Sequence, residues 1–357
     1  MSHMNYAIIH YRSEFMEQAV DVLRYLWGDD RTANLSYFKW KYCDNPYVDS
    51  PLGFITLYKD RVVGFRGYFP TKWKIHPTEK EIIILCPGDT CVHPDHRRKG
   101  LSVIMGNSAI KQYAQKYKIF LNMTSTKNSM PGYLRIGFLP MVDKSYITRC
   151  SLNGLITYIL TKKKWAPIQE TRIAFGEFQS IFVDKSPRPQ EMAFVINNQI
   201  PDGRKITLLQ DQQFFLWRFN NMRNKYVFYY YFRNKELTAY VVIRVSQNNR
   251  RGYILDYAET DEGSIENILR HIIKKRHFDI ISIYNFNLNP TLFKTLLTFS
   301  FKTYSLMRML ESRFVGEMPL FVRPVKSDFI EEDWYLEGLD IRDIQNWSLK
   351  PICSDDA

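Results

Sequence analysis

What the chain lacks narrows the field first. Its five cysteines (Cys43, Cys86, Cys91, Cys150 and Cys353) are an odd, scattered set without a CxxC pair. That excludes a disulfide framework and a zinc site, and it fits a reducing cytoplasm. The histidines show no ligand spacing, so no metal is expected. No apolar run approaches the ~20 residues of a membrane helix, and the first residues do not resemble a secretory signal. Ser2-His3 reads as a cloning remnant, with the native start expected at Met4. Neither a long basic run nor a nucleic-acid reader motif is present, which argues against nucleic acid as the partner and leaves a basic nucleic-acid binder only as a remote alternative.

What is present sets the scale. With 357 residues, two domains are expected at ~150 residues each. Hydrophobic residues at 45% suffice for sizeable cores. The net charge of +12 favours an anionic partner, and a nucleotide-bearing small molecule suits it.

One stretch organises the rest. Ile82 to Val92 reads as a strand, Pro94 turns it, Arg97-Arg98-Lys99 follow, and a helix opens at Gly100 and runs through Leu101 to Tyr117. A strand-loop-helix aims backbone N–H groups and the positive helix end at one spot, and a glycine lets a bulky anion approach. A basic turn before a helix is often only a solvated surface. The spacing argues otherwise: Val92-x-Pro94 followed by Arg97-x-x-Gly100-x-Ser102 resembles the acyl-CoA loop of the GNAT acetyltransferase superfamily, with Ser102 in place of the usual Gly or Ala. Asn128 followed by Tyr133-x-x-x-Gly137-Phe138 resembles that superfamily's second signature. The resemblance covers about residues 5 to 150.

The resemblance implies a mixed α/β sheet and acetyl-CoA as acyl donor, without a metal. It implies cofactor contacts from Cys91, Val92, Arg97, Arg98, Lys99, Gly100, Leu101, Ser102 and Asn128. It makes Tyr133 the general acid for the departing thiolate. A backbone N–H near Val92 is the expected oxyanion donor. Asp89, near the incoming amine, is a catalytic candidate: it can take the amine's proton, bond a substrate ammonium, or hold the backbone. Cys91 has no Cys-His-Asp company, which favours direct transfer over a covalent intermediate. The segment Tyr37-Phe38-Lys39-Trp40-Lys41-Tyr42, closing at Asn45-Pro46, reads equally as pocket wall or as packing. Trp40, Tyr42 and Arg66 are the expected acceptor contacts.

The second half echoes the first in order. Phe215-Leu216-Trp217-Arg218-Phe219 parallels Phe38 to Tyr42. A hairpin from Tyr226 to Val245 parallels one around Lys59-Asp60-Arg61, and Asn289 to Phe301 parallels Asn128 to Phe138. The cradle is not repeated: Glu259-Thr260-Asp261-Glu262-Gly263 would repel a pyrophosphate, and Leu296 stands where the first half has Tyr133.

The expected architecture is therefore α/β, with two tandem GNAT-like mixed-sheet domains, the second lacking the pyrophosphate loop. Residues 1–150 form the catalytic domain, 151–200 a connecting segment that includes basic Lys162-Lys163-Lys164, 201–325 the degenerate domain, and 326–357 a tail docked by Trp334 and Trp347. The implied activity is acetyl transfer to a primary amine of a small molecule, an amino sugar or sugar nucleotide. That class follows from the resemblance of the Trp40 segment to enzymes accompanying bacterial surface-polysaccharide clusters. Two alternatives stand beside it: a longer acyl donor, carried on CoA or on acyl carrier protein, and a non-catalytic acyl-CoA sensor.

Overall fold

The computed structural model describes residues 6–143, 145–150, 164–175, 177–199, 203, 205–285, 288–302 and 319–354. Lys162 and Lys163 of the basic triplet lie outside them. The first copy runs β1 (Tyr6–His10), α1 (Met16–Trp27), α2 (Arg31–Phe38), β2 (Leu52–Tyr58), β3 (Arg61–Ile75), β4 (Lys80–Val92), α3 (Leu101–Tyr113), β5 (Ile119–Asn122), α4 (Met130–Arg135) and β6 (Leu139–Asp143). There follow β7 (Tyr146–Cys150), β8 (Thr171–Phe175), β9 (Gln179–Asp184), α5 (Pro189–Asn197), β10 (Ile206–Leu208), α6 (Gln212–Arg218), β11 (Lys225–Arg233) and β12 (Glu236–Val245). β13 (Arg251–Glu259), α7 (Ser264–Lys274), β14 (Ile280–Tyr284), α8 (Pro290–Thr298) and β15 (Pro319–Pro324) complete the main elements.

Local chemistry repeats between the copies. Each long hairpin turns on two residues of positive φ, Lys59 and Asp60 in one, Asn234 and Lys235 in the other. Such turns match the twist of the flanking strands. The helix after each central strand starts from a left-handed glycine, Gly100 at φ 71° and Gly263 at φ 85°. The left-handed bend after α4 is Gly137, and its counterpart after α8 is Ser300.

The first sheet has the main order β1-β2-β3-β4-β5-β15-β6, and the second β7-β14-β13-β12-β11-β9-β8. The copies exchange a strand. β7, which directly follows the first copy's last strand, pairs antiparallel with β14 of the second sheet. β15, from the far end of the chain, lies between β5 and β6, antiparallel to both.

Strand pairing therefore crosses the boundaries expected at 150 and 201. Tyr146–Cys150 belongs to the second sheet and Pro319–Pro324 to the first, while β8, β9 and α5 of the supposed connector belong to the second copy, β9 pairing with β11. Trp334 and Trp347 are buried, and Trp347 pairs beside Ile206 of β10, which itself extends β3.

Two features of the first sheet shape the site. β4 and β5 run parallel but pair only at Leu85 and Phe120; β4 then continues to Val92 while β5 ends at Asn122, so the strands part. Opposite Arg66, β4 carries a bulge. Phe65 faces Cys91 and Gly67 faces Gly88, leaving Asp89 and Thr90 across from Arg66, with Asp89 at φ 47°. Bulges of this kind re-aim side chains beside functional clefts.

The copies meet where the sequence echo is strongest. Trp40 and Trp217 stack with centroids 5.6 Å apart and planes 15° from parallel. Each indole N–H donates to the other residue's carbonyl, at 2.8 and 2.9 Å.

Candidate active site

The cradle is built by a braced loop. After Val92 the chain keeps one more ladder bond, His93 N–H to the Val63 carbonyl at 2.8 Å, then makes a single tight turn through Pro94–His96. Arg98 and Gly100 both take positive φ, which swings the chain into α3. A Cβ on Gly100 would meet nothing within 4 Å, so the glycine is required for its conformation and not for space. The first N–H groups of α3 have no carbonyl within the helix to bond and are available to an anion.

The three cations divide their work. Arg97 turns back, donating from Nε to the Val92 carbonyl at 3.0 Å. Lys99 Nζ donates to the Tyr6 hydroxyl at 2.9 Å, and that hydroxyl also meets Nδ1 of His96 at 2.9 Å. Burial, then Lys99 and His93, lower the His96 pKa, which favours its neutral form. Arg98 stands exposed with no side-chain partner among the described residues. Asn128 lies exposed in the turn before α4.

Tyr133 sits at the gap between β4 and β5. Its hydroxyl donates to the carbonyl of Pro87 on β4 at 3.2 Å, and the Asn122 amide of β5 donates to the same oxygen at 3.0 Å. Phe138 packs edge-on at 5.0 Å, and Phe321 of the exchanged β15 stacks at 6.0 Å. The neighbouring Arg323 donates to the carbonyls of Ile136, at the end of α4, and of Lys326. A cation on the last carbonyls of a helix satisfies groups that otherwise lack partners. Burial lowers the Arg323 pKa to about 10, still charged at neutral pH.

Asp89 is enclosed. Its carboxylate accepts from Trp27 Nε1 at 3.0 Å, from the Tyr42 hydroxyl at 2.6 Å and from Lys41 Nζ at 2.6 Å. The side chains of Lys41 and Asp89 are only 1% and 10% exposed. A carboxylate holding three donors takes a further proton only if one of them leaves. The second copy also encloses a carboxylate on its central strand, Asp256, but with donors from other positions, Gln210, Tyr240 and Lys350. Of the three uses open to Asp89, holding the backbone is the one the geometry favours. Lys41→Met, which strands the carboxylate, is expected to cost about 3–5 kcal/mol in urea unfolding.

The expected acceptor contacts all point inward. Trp40 belongs to the contact between copies, Tyr42 to the Asp89 cluster, and Arg66 lies beneath α3; they are 4%, 1% and 3% exposed. Trp40, Lys41 and Tyr42 lie on a wide π-helical turn, Lys39–Cys43, which directs neighbouring side chains to different layers. Tyr42 requires Gly67 opposite, where a Cβ would overlap its hydroxyl. Of the open readings of this segment, packing is the one observed. Cys91 bonds the Val22 carbonyl through Sγ in the α1 layer, and burial pushes its thiol up to about 11. At neutral pH it is a protonated thiol and no nucleophile.

Sequence reasoning missed Trp27, Arg223 and Arg323. Arg223, from the second copy, lies 4.1 Å over the Tyr37 ring and 5.0 Å over Trp27, and bonds Asn34. Nothing local in the sequence signals a residue that reaches the site from the other half.

The second copy differs where the cradle would be. Glu259 accepts the Ile265 N–H at 2.9 Å, so a carboxylate of the chain itself occupies the start of α7. Burial raises its pKa. Leu296 fills Tyr133's position and is fully buried. A cavity of about 260 Å³ beside this point is lined by Tyr257, Glu259, Glu262, Asn289 and Lys350 among others.

Comparison with known proteins agrees with this geometry. Residues 7–141 match the family model described as an acetyltransferase (GNAT) domain. The first half of the chain is a GNAT domain. With this domain the protein is an acyltransferase. No curated protein matches it in sequence.

Solved structures share its fold at about one-tenth identity. A probable N-acyltransferase from Enterococcus faecalis V583 aligns over 92% of this chain and 74% of its own, with 10% identity and a TM-score of 0.61. A GCN5-related N-acetyltransferase from Anabaena variabilis ATCC 29413 covers 90% and 73%, with 10% identity and a TM-score of 0.57. A tandem GNAT protein from the clavulanic acid biosynthesis pathway covers 91% and 100%, with 10% identity and a TM-score of 0.54. The GNAT chain described here has that two-domain α/β layout.

Proposed function

We propose that this GNAT protein transfers an acetyl group from acetyl-CoA to a primary amine of a small molecule, an amino sugar or sugar nucleotide. On this reading the second copy binds no CoA. The observation that carries it is the opening of α3 from left-handed Gly100, beside the gap where β4 and β5 part and where the Tyr133 hydroxyl rests on β4.

The reaction poses three problems. The donor must be held, and the amide groups at the start of α3 with exposed Arg98 suit its diphosphate. The tetrahedral oxyanion needs a donor, and the end of β4 past the bulge offers backbone N–H groups. The sulfur must leave as a thiol, and Tyr133 is the acid for it. Asp89 and Lys41 hold the bulge, and the amine's proton passes to water. The acceptor class rests on the resemblance of the Trp40 segment, whose inward side chains would act by shaping the site, and on the positive charge of the chain.

Thiol release from acetyl-CoA, measured against a panel of free and nucleotide-linked amino sugars, tests the proposal. Release dependent on both substrates is expected; none with any amine overturns it. A donor series of increasing acyl length separates acetyl from longer-chain transfer. Gly100→Asp sets a carboxylate against the diphosphate and is expected to weaken CoA binding by roughly a hundredfold in calorimetry. Unchanged affinity would remove the cradle assignment.

A further inference from the structure

We propose that Arg66 is the positioning residue that makes Tyr133 an effective acid, its buried guanidinium standing beside the phenol as a cation that no carboxylate among the described residues neutralises. The proposal rests on the acyl-transfer reading above.

Arg66 lies on β3 opposite the β4 bulge and is 3% exposed. Nε donates to the Tyr68 hydroxyl at 3.0 Å, and Nη1 meets the Ser102 carbonyl in the first turn of α3 at 3.4 Å. Nη2 is buried without a partner. The guanidinium carbon lies 4.9 Å from the centre of the Tyr133 ring. Buried cations are ordinarily paired with an anion, and among the described residues this one bonds neutral oxygens. Room for it depends on Gly106 of α3, where a Cβ would stand 2.8 Å from Ile136 Cδ1 and 3.6 Å from the guanidinium carbon.

The other titratable and charged groups around this layer are Tyr68 on β3, Tyr113 on α3, edge-on to Tyr68, and Arg323 on β15 at the end of α4. Both arginines favour the anionic form of a nearby phenol, whereas burial disfavours it and at Tyr68, which Arg66 contacts directly, outweighs them.

The chemistry needs this help. When the tetrahedral intermediate collapses, the C–S bond breaks and its electron pair goes to sulfur. The Tyr133 O–H proton goes to the same sulfur, leaving a phenolate. Water carrying the proton lost by the amine then restores the phenol, so no proton is gained or lost at the enzyme. A phenol near ~10 is a poor acid toward a thiolate near ~8.5. An opposite charge within about 4–6 Å favours ionisation of such a group by about 1–3 units, and Arg66 is the cation placed to work against the burial of Tyr133.

The test compares the parent protein with Arg66→Gln, which keeps a donor toward Tyr68 without the charge, and with Arg66→Lys, which keeps the charge. Two quantities are read: the pH dependence of transfer at saturating acetyl-CoA, and the titration of Tyr133 by carbon-13 NMR of ring-labelled tyrosine, its signal identified by its loss in Tyr133→Phe. In the parent, Tyr133 is expected to titrate below the ordinary ~10 of a phenol. In Arg66→Gln the high-pH limb and the NMR titration both move up by about one to three units, and the plateau rate falls about tenfold or more. Arg66→Lys returns both toward the parent values.

A Tyr133 titration at or above ~10 in the parent, or one unmoved in Arg66→Gln, overturns the proposal, and a fall in rate alone does not rescue it. The parent measurement needs no variant to fold. The NMR arm uses protein without substrate, so it decides the role of Arg66 even if no acceptor is ever found, and a failure of the transfer reading would be seen separately.

Discussion

Replacing Tyr133 by Phe is expected to lower acyl transfer by roughly a hundredfold to ten-thousandfold while leaving acetyl-CoA affinity nearly unchanged. Only one oxygen is removed. The ring keeps its packing against Phe138 and Phe321, and the Pro87 carbonyl keeps the Asn122 amide. The N–H groups and cations of the cradle belong to other residues and are untouched. Loss of a group that acts only in the transition state lowers kcat and kcat/KM together. Steady-state kinetics with calorimetric donor binding check this. A variant that turns over like the parent would place the proton elsewhere, and one that binds donor poorly would mean Tyr133 holds the site together instead.

Residues 4–143 alone are expected not to fold, although they contain the whole segment that matches the GNAT family model. The fragment lacks β15, whose Leu320, Phe321 and Val322 are completely buried. At about 1.5–3 kcal/mol for each such side chain, their loss removes much of the 5–15 kcal/mol by which domains are ordinarily stable. It also leaves β5 and β6 with open edges and α4 without Arg323 at its end. Circular dichroism of the fragment should show no cooperative melt. Co-expression with residues 145–357 should restore one. A cooperative transition in the isolated fragment would show that the exchanged strand is dispensable.

The parts of this molecule that could be read from the chain are those set by neighbours in sequence. The two hairpins announce themselves by polar pairs between apolar runs, and Lys59-Asp60 and Asn234-Lys235 do adopt the left-handed geometry such turns need. Gly100 after three cations marks the start of α3, and the Tyr133-to-Phe138 spacing sets a helix, a left-handed exit and a buried ring in order. The internal repeat is visible because it preserves order as well as composition.

What could not be read depends on contacts across long separations. β15 has the alternation of any strand, and that period does not say whether its partner is β5 or β14. β1 is a short edge strand that was not anticipated at all, its apolar pair Ile8-Ile9 too brief to signal a period. Trp40 and Tyr42 are amphipathic aromatics two residues apart, as fit for a pocket as for a core. The π-helical turn that sends them inward has no local signature. Asp89 reads as an exposed strand-end carboxylate, because its donors Trp27, Lys41 and Tyr42 come from nearly fifty residues or more upstream.

The paired indoles at the centre of the molecule have a historical meaning. A contact in which residue i bonds j while j bonds i in the same way is the mark of a dyad, ordinarily found where two identical subunits associate. Here both sides of the dyad are on one polypeptide, and the traded strands respect it too. The protein is the tethered equivalent of a swapped homodimer, and dilution cannot separate its halves as it would separate subunits. On the function proposed above, tethering also freed one half from ligand duty: with association guaranteed, Glu259 and Leu296 could stand where the other half has its cradle and acid without loss of the assembly.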